Sequence, residues 1–222
     1  MLKHVKTKDL FNCEIEYLKG LFEEEYPWKI LPKINNFILE FVKNGATGFF
    51  ELKDGVFVGK NVKIAPTATI ESPAIIGDGS EIRPSAYIRG NVIVGNNCVI
   101  GNSSELKNCV LLNNVQVPHY NYVGDSILGN NSHMGAGAIC SNLKADKKEV
   151  VIRDIYNIKT GLRKVGAFLG DGADVGCGSV LNPGTIIGKN TNIYPISCVR
   201  GVIPSNAIYK DVKTVVEKIQ KN

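Results

Sequence analysis

Residues 58–112 read VGKNVKIAPTATIESPAIIGDGSEIRPSAYIRGNVIVGNNCVIGNSSELKNCVLL. Every sixth residue of this stretch is Val, Ile or Leu, ten times in succession. A period of six lies on no single face of an α-helix, which has about 3.6 residues per turn. The ten positions are Val58, Ile64, Ile70, Ile76, Ile82, Ile88, Val94, Ile100, Leu106 and Leu112.

The residues around these positions favour tight corners. Gly follows the aliphatic residue at Val58, Ile76 and Val94, and Gly and Asn tolerate the positive φ of a corner. The pattern predicts an all-β solenoid in which three hexapeptides form a coil of about eighteen residues, with every sixth side chain pointing inward. The period breaks near Pro118 and resumes at Leu128, Met134, Cys140, Leu169, Val175, Leu181, Ile187, Ile193 and Val199.

Residues 1–50 do not follow the repeat. Segments 8–24 and 34–44 instead space their apolar residues as a helix does, and Gly45 follows as a stop signal. We expect residues 1–50 to form a small helical cap over the first coil. Such a cap would also protect unpaired strand edges at that end of the solenoid.

The remaining chain divides at two further points. Residues 51–208 are expected to form the β-helix, and residues 209–222 a short amphipathic helix that closes it. Residues 141–164 are polar, basic and out of register, so we interpret them as an inserted loop. The insertion is either a ligand-binding loop or a disordered surface loop.

Composition narrows the class of protein. The formal net charge is +5 over 222 residues, and Lys and Arg are scattered, so nucleic acid is not an expected partner. The six cysteines include no C-x-x-C pair, and we predict no metal site. No uninterrupted apolar stretch reaches about 18 residues, which leads us to expect a soluble cytoplasmic protein without membrane association.

Two runs carry a family resemblance. They are VPHYNYVGD at Val117–Asp125 and MGAGAICSN at Met134–Asn142. The chain resembles the hexapeptide-repeat proteins over residues 58–205, and most specifically, around residues 105–142, the acetyltransferase half of bifunctional UDP-N-acetylglucosamine pyrophosphorylase/glucosamine-1-phosphate acetyltransferase. It is similar to stand-alone relatives described as UDP-N-acetylglucosamine pyrophosphorylase-related or sugar-1-phosphate nucleotidyltransferase C-terminal-like. The resemblance implies a left-handed parallel β-helix that assembles as a homotrimer with active sites between subunits.

The resemblance also implies the catalytic residues. His119 matches the general base that removes a proton from the sugar amine, a task that suits an imidazole. Glu105 matches a carboxylate near the active site, where it would orient His119 and stabilise the imidazolium. Each of these residues could instead be an ordinary structural or surface side chain.

The matched binding residues form two groups. Arg89 and Lys107 match two phosphate-binding cations. The residues matched to sugar contacts are Tyr122, Asn142, Lys148 by direct offset, and His133, which replaces an asparagine. The residues matched to the groove for the acetyl-CoA co-substrate are Ala136, Cys177 and Pro195, of which the last two replace small residues.

These matches imply two functions, and the fold allows a third. The first is acyl transfer, probably of acetyl, from a coenzyme A thioester to the amine of an amino-sugar 1-phosphate or nucleotide sugar. The second is a non-catalytic module that binds a sugar phosphate or nucleotide sugar. The third, a metal-dependent hydratase of the carbonic anhydrase type, has only His119 and His133 as ligands in the solenoid. Nucleotidyltransferase activity is not expected, because fifty helical residues cannot supply a Rossmann-like domain.

Overall fold

A computed structural model describes residues 5–154 and 157–218. The chain forms a left-handed parallel β-helix of about eight coils with three walls, which confirms the expected fold class. Each coil runs from wall A to wall B to wall C, and we name the turns between them the A–B, B–C and C–A corners.

The walls are built from very short strands. Wall A contains Val56–Val58, Ala74–Ile76, Val92–Val94, Cys109–Leu111, Ile127–Leu128, Ala167–Leu169, Thr185–Ile187 and Val202–Ile203, with Phe50–Lys53 antiparallel at its edge. Wall B contains Lys63–Ile64, Glu81–Ile82, Val99–Asn102, Gln116–His119, His133–Met134, Asp174–Val175, Asn192–Ile193 and Ala207–Asp211, with Thr214–Glu217 antiparallel at its edge. Wall C contains Thr69–Ile70, Tyr87–Ile88, Glu105–Lys107, Tyr122–Gly124, Ile139–Cys140, Val180–Leu181 and Cys198–Val199.

The inward column follows the six-residue period from Val58 to Leu106, where all members except the half-buried Ile64 are buried. The next inward residue is Leu111, five positions on. Leu112, the tenth position of the predicted series, instead belongs to the apolar cluster outside wall A. The prediction was wrong at this position because the coil is one residue shorter at the C–A corner.

Pro118 does not interrupt the coil. Val117 and Val123 both belong to the inward column, and a second five-residue step leads from Val123 to Leu128. This step again turns the C–A corner, at Asp125 with a φ of 47°. Because each of these two corners is one residue shorter than the repeat, a count in steps of six loses the register near Pro118.

The N-terminal segment packs along the outside of wall A rather than over the first coil. Its helices are the α-helices Thr7–Leu10 and Ile34–Lys43 and the 3₁₀ helices Glu16–Glu23, Pro27–Lys29 and Leu31–Lys33. The buried rings of Trp28 and Phe168 have centroids 6.3 Å apart. The wall contributes the outward side chains of Phe57, Ile75, Ile93, Val110, Ile127, Phe168 and Ile186 to this interface.

Tertiary hydrogen bonds explain why segment 8–24 is not one helix. The carbonyl of Leu10 accepts a hydrogen bond of 3.0 Å from the Asp171 N–H, and the Asn12 N–H donates to Asp171 Oδ2 at 2.8 Å. These bonds hold the chain extended between the first α-helix and the first 3₁₀ helix. Segment 34–44 is helical as predicted, and Gly45 follows it with a φ of 92°.

The insertion at 141–164 contains an antiparallel hairpin, formed by Val151–Arg153 and Asn157–Lys159. Val150 and Ile152 are fully buried in the cluster outside wall A, beside the N-terminal segment. The described part of the insertion is therefore a packed element of the fold. Its alternating apolar residues are typical of a strand, and the interpretation as a loop overlooked this signal.

The expected C-terminal helix is wrong within the described residues, because residues 207–217 form a hairpin. Ala207–Asp211 pairs in parallel with Asn192–Ile193, and Thr214–Glu217 returns antiparallel to it. The last coil offers an unpaired strand edge, and β-branched residues such as Val215 and Val216 suit a strand. Residues 219–222, which complete the predicted helix, lie outside the described residues.

We predict that Ile88→Asp prevents folding. The side chain of Ile88 is fully buried in an aliphatic column, where an unpaired carboxylate costs on the order of 5 kcal/mol or more. Thr69→Asp is the control, because Thr69 is exposed on the same wall one coil away and should change stability by less than about 0.5 kcal/mol. Thermal unfolding followed by circular dichroism should separate the two, and equal melting temperatures would contradict this register.

Candidate active site

One corner stacks the predicted base on the predicted cofactor groove. At the B–C corner the Gly137 N–H donates to the carbonyl of His119 at 3.0 Å. On the following coils the Gly178 N–H donates to Ala136 O and the Ile196 N–H to Cys177 O, both at 2.8 Å. With about 4.8 Å between coils, the column spans about 14 Å. Its members are the predicted base His119 and the three residues matched to the cofactor groove, Ala136, Cys177 and Pro195.

A buried amide fixes the backbone at His119. The His119 N–H donates to Asn121 Oδ1 at 3.0 Å, and Asn121 Nδ2 donates to the carbonyls of Gly135 and Ala138 at 2.8 and 3.2 Å. Asn121 is therefore tied to the next coil, while the His119 side chain is exposed. Sequence reasoning missed Asn121, although it lies inside the decisive run.

A glycine allows the same strand to approach the coil before it. A Cβ atom on Gly101 would lie 1.6 Å from the carbonyl oxygen of Pro118, a distance that no side chain tolerates. The strand that ends at His119 is thus packed closely against the preceding coil. This packing helps to fix the position from which the imidazole extends.

The C–A corner and wall C hold the predicted cations. Arg89 Nη1 lies 2.7 Å from Glu105 Oε1 in an ion pair between successive coils. Within the described residues, no hydrogen bond joins Glu105 to the imidazole of His119. The structure therefore brings Glu105 to the predicted phosphate ligand, and not to the predicted base.

The second cation is held by a buried carboxylate. Lys107 Nζ lies 3.2 and 3.3 Å from the two oxygens of Asp125, whose side chain is only 6% exposed. Asp125 also accepts hydrogen bonds from Asn108 Nδ2, at 2.9 Å, and from Asn142 Nδ2. Asn142 Nδ2 lies 3.1 Å from the hydroxyl of Tyr122, whose pKa burial raises.

Sequence reasoning missed Asp125, the residue on which the hydrogen bonds of this corner converge. It joins Lys107, Asn142 and Tyr122, three of the predicted ligands, into one network. The residue stands at the end of the run that carried the resemblance, so its place in the motif was visible. Its role was not, because its partners come from neighbouring coils.

The insertion separates Lys148 from the residues it was matched with. An isolated antiparallel bridge joins Leu143 to Lys164, and the Val165 N–H donates to the Asn142 carbonyl at 3.0 Å. Counting by direct offset ignores the hairpin between these points. The lysine that returns to the coil beside Asn142 is therefore Lys164, and Lys148 lies on an exposed turn of the insertion.

His133 lies on the outer face of wall B, away from the C–A corner of its own chain. Its Nδ1 is 2.8 Å from Asp174 Oδ1, and the imidazole lowers the pKa of that carboxyl. Asp174 Oδ2 in turn accepts from Asn192 at 3.2 Å. Within one chain, His133 is thus not brought to the network of Asp125.

Two further findings concern residues 5–154 and 157–218 only. None of their groups of His, Cys, Asp and Glu is arranged to hold a metal ion. None of their helices has the length and hydropathy needed to cross a bilayer.

Comparison with known proteins adds a relationship to this geometry. The family described as GMPPB C-terminal domain matches residues 70–162. The bifunctional protein GlmU of Methanococcus maripaludis is 34% identical over 207 residues, covering 90% of this chain and 50% of that protein. Over most of its length this chain is therefore similar in sequence to the bifunctional GlmU proteins. The bifunctional sugar-1-phosphate nucleotidylyltransferase/acetyltransferase of Sulfurisphaera tokodaii is 38% identical over 92 residues, covering 41% of this chain and 23% of that protein.

The match to GlmU confirms the resemblance and also bounds it, because the chain spans about half the length, or less, of the relatives it matches. Among solved structures, the UDP-N-acetylglucosamine acyltransferase from Campylobacter jejuni superposes with a TM-score of 0.51 at 15% identity. The superposition covers 70% of this chain and 67% of that one. This likeness establishes the shared fold.

We predict that Asp125→Asn destabilises the C–A corner. The new amide nitrogen would replace one carboxylate oxygen and face the nitrogen of either Asn108 or Asn142, and the Lys107 ammonium would lose its carboxylate. The free energy of unfolding in urea should fall by about 2 to 3 kcal/mol. Asp54→Asn, in the exposed turn between the first two strands, should cost less than about 0.5 kcal/mol. Equal losses would mean that the network contributes nothing.

Proposed function

We propose that the chain transfers an acyl group, taken here as acetyl, from coenzyme A to the amine of an amino-sugar 1-phosphate or nucleotide sugar. The observation that carries the proposal is the stacking of His119 with Ala136, Cys177 and Pro195 at one corner. A base at the end of a groove matched to the thioester is the arrangement that direct transfer requires. The acetyltransferase activity named for the Sulfurisphaera tokodaii relative adds support.

The reaction needs no covalent enzyme intermediate. The amine nitrogen attacks the thioester carbonyl while His119 accepts an amine proton, so the C–N bond forms and the C–S bond breaks. The thiolate of coenzyme A leaves and takes up the proton that His119 accepted, which returns the imidazole to its neutral form. A backbone N–H of the B–C corner would stabilise the oxyanion, a contribution that grows in a site closed to water.

Phosphate binding would rearrange the ion pair of Arg89 and Glu105. A phosphate that engages the guanidinium competes with the carboxylate for the same N–H groups. Release of Glu105 would let it take the role of orienting His119. Lys107, held by Asp125, and Lys164, beside Asn142, would complete the contacts to the sugar phosphate.

The alternative is a binding module without catalysis. The pairing of Glu105 with Arg89 favours it, because it leaves the imidazole of His119 without the orienting carboxylate among the described residues. Incubating the protein with acetyl-CoA and a panel of amino-sugar 1-phosphates and nucleotide sugars, with thiol release as the readout, distinguishes the two.

We predict opposite effects for the base and the cation. His119→Ala should lower turnover by about two to four orders of magnitude while the Kd for the sugar phosphate stays within about twofold. Arg89→Gln should weaken that Kd by about tenfold or more, because a charge-assisted contact is lost. Lys60→Gln removes an exposed charge at the A–B corner and serves as the control. Binding without thiol release in the wild type would favour the module, with His119 as a ligand contact only.

The homotrimer belongs to the same proposal, because His119 and the network of Asp125 lie at opposite edges of wall C. Wall A is covered by the N-terminal segment and the hairpin, which leaves walls B and C for subunit contacts. Exposed apolar residues cluster at the B–C corner and beside it, where Tyr120 is 65% and Ile196 82% exposed. A neighbouring subunit that covers these apolar residues would place one of its own corners against wall C of this subunit.

We predict that light scattering at micromolar concentration gives the mass of three chains. Ile196→Glu should shift this mass toward one chain, because a charge would be buried in the subunit contact. Leu39→Glu is the control, since Leu39 is 53% exposed on the helix outside wall A. A monomeric wild type would remove the basis for a shared site.

A further inference from the structure

The insertion and the last coils enclose a basic cleft, which we call the hairpin pocket. It is a cavity of about 410 Å³ whose lining includes Lys144, Asp146, Arg153, Asn182 and Arg200. One side is the turn and hairpin of the insertion. The other is the C–A corner of two successive coils, at Asn182 and Arg200.

Close packing holds the two sides together. Val150 and Ile152 are fully buried, and a Cβ atom on Gly184 would lie 2.8 Å from Val150 Cγ1. A Cβ atom on Gly201 would lie 3.0 Å from the carbonyl oxygen of Arg153. The hairpin therefore rests on the coil through glycines, and the pocket between them is formed before any ligand arrives.

The charges of the pocket are unbalanced. Lys144 Nζ lies 3.3 Å from Asp146 Oδ1, so this pair is neutral. Arg200 Nη2 donates to the neutral amide of Asn182 at 3.3 Å. Among the described residues, neither Arg153 nor Arg200 forms an ion pair. Two guanidinium groups without an ion pair among the described residues thus face one cavity, and its lining carboxylate, Asp146, is paired with Lys144. This arrangement suits an oxyanion.

The pocket continues the corner that holds the network of Asp125. The Ser141 N–H donates to Leu181 O and the Asn182 N–H to Val199 O, both at 2.9 Å, so these segments lie on successive coils. Two coils separate Asn142 from Arg200, which is a distance of about 10 Å. Arg200 also lies on the same coil as Pro195, at the far end of the predicted cofactor groove.

We propose that the hairpin pocket is a second phosphate-binding site, in which Arg153 and Arg200 grip a phosphate or diphosphate group. Asn182 would orient the guanidinium of Arg200 toward it. Lys147 and Lys148, exposed on the turn beside the pocket, add positive potential that attracts a polyanion. The site stands apart from Arg89 and Lys107, several coils away along the same corner.

Two ligands carry the required chemistry. One is the phosphorylated nucleotide end of coenzyme A, and the other is the diphosphate of a nucleotide sugar. That either is the occupant rests on the proposed function. The phosphate site itself does not, because it is argued from the cavity and its charges alone.

Titration calorimetry with pyrophosphate tests the site. Arg153→Gln and Arg200→Gln should each weaken binding by about tenfold. Arg163→Gln removes the same kind of charge from the same insertion without lining the pocket, and should change the Kd by less than about twofold. Equal losses in all three variants, or no saturable binding in the wild type, would overturn the proposal. So would binding that is lost in Arg89→Gln but kept in Arg153→Gln.

A competition experiment identifies which of the two ligands occupies the pocket. Adenosine 3′,5′-bisphosphate and uridine diphosphate are each titrated against bound pyrophosphate, and the one whose affinity falls in Arg200→Gln identifies the source. Failure of the proposed function is separable. Pyrophosphate binding that depends on Arg153 and Arg200, without thiol release, leaves the pocket standing and removes acyl transfer. Thiol release with Michaelis constants unchanged in both variants, together with no pyrophosphate binding, would leave acyl transfer standing and remove the pocket.

Discussion

The stacking of one coil on the next constrains everything else in this protein. Each strand is only two to five residues long, and its N–H and C=O groups pair with the coils on either side. Because unpaired buried backbone groups are costly, every coil must repeat the position of the one before it. The inward column of aliphatic side chains meets the same requirement in the core. Side chains and chain length are therefore free to vary only at the outer faces and at the corners.

The three corners use this freedom differently. At the A–B corner, side-chain oxygens of Asp78, Asn96 and Asn113 accept hydrogen bonds from the backbone one coil away, which makes that corner a ladder. The B–C corner repeats its backbone contacts from His119 onward. At the C–A corner the step between inward residues is five twice, becomes an insertion after Cys140, and is four between Val199 and Ile203. The irregular corner carries the Asp125 network and the hairpin pocket, while the regular one carries His119.

This division explains how far the sequence could predict the structure. The six-residue period identified the solenoid and most of its inward residues, because stacked coils require aliphatic side chains at a fixed spacing in the sequence. The period failed at Leu112, the offset match at the lysine beside Asn142, and the helical spacing at the C-terminal hairpin. At each of these places chain length or pairing changes at a corner or an end. The path of the N-terminal segment was equally out of reach. It depends on Asp171 binding Leu10 and Asn12, partners about 160 residues apart. The motif matches did bring His119, Ala136, Cys177 and Pro195 to one corner, because that corner is regular.

Electrostatics distinguish the two anion sites proposed at the C–A corner. Arg89 and Lys107 are each paired with a carboxylate of the same chain, so this part of the corner has almost no net charge. A phosphate there would gain from directed hydrogen bonds and from exchange of partners more than from long-range attraction. At the hairpin pocket, Arg153 and Arg200 keep their charge uncompensated by ion pairs of the described residues, and lysines surround the turn. Long-range electrostatic attraction is therefore concentrated at the pocket. The pocket would be the first part of the corner to attract an approaching phosphate ligand.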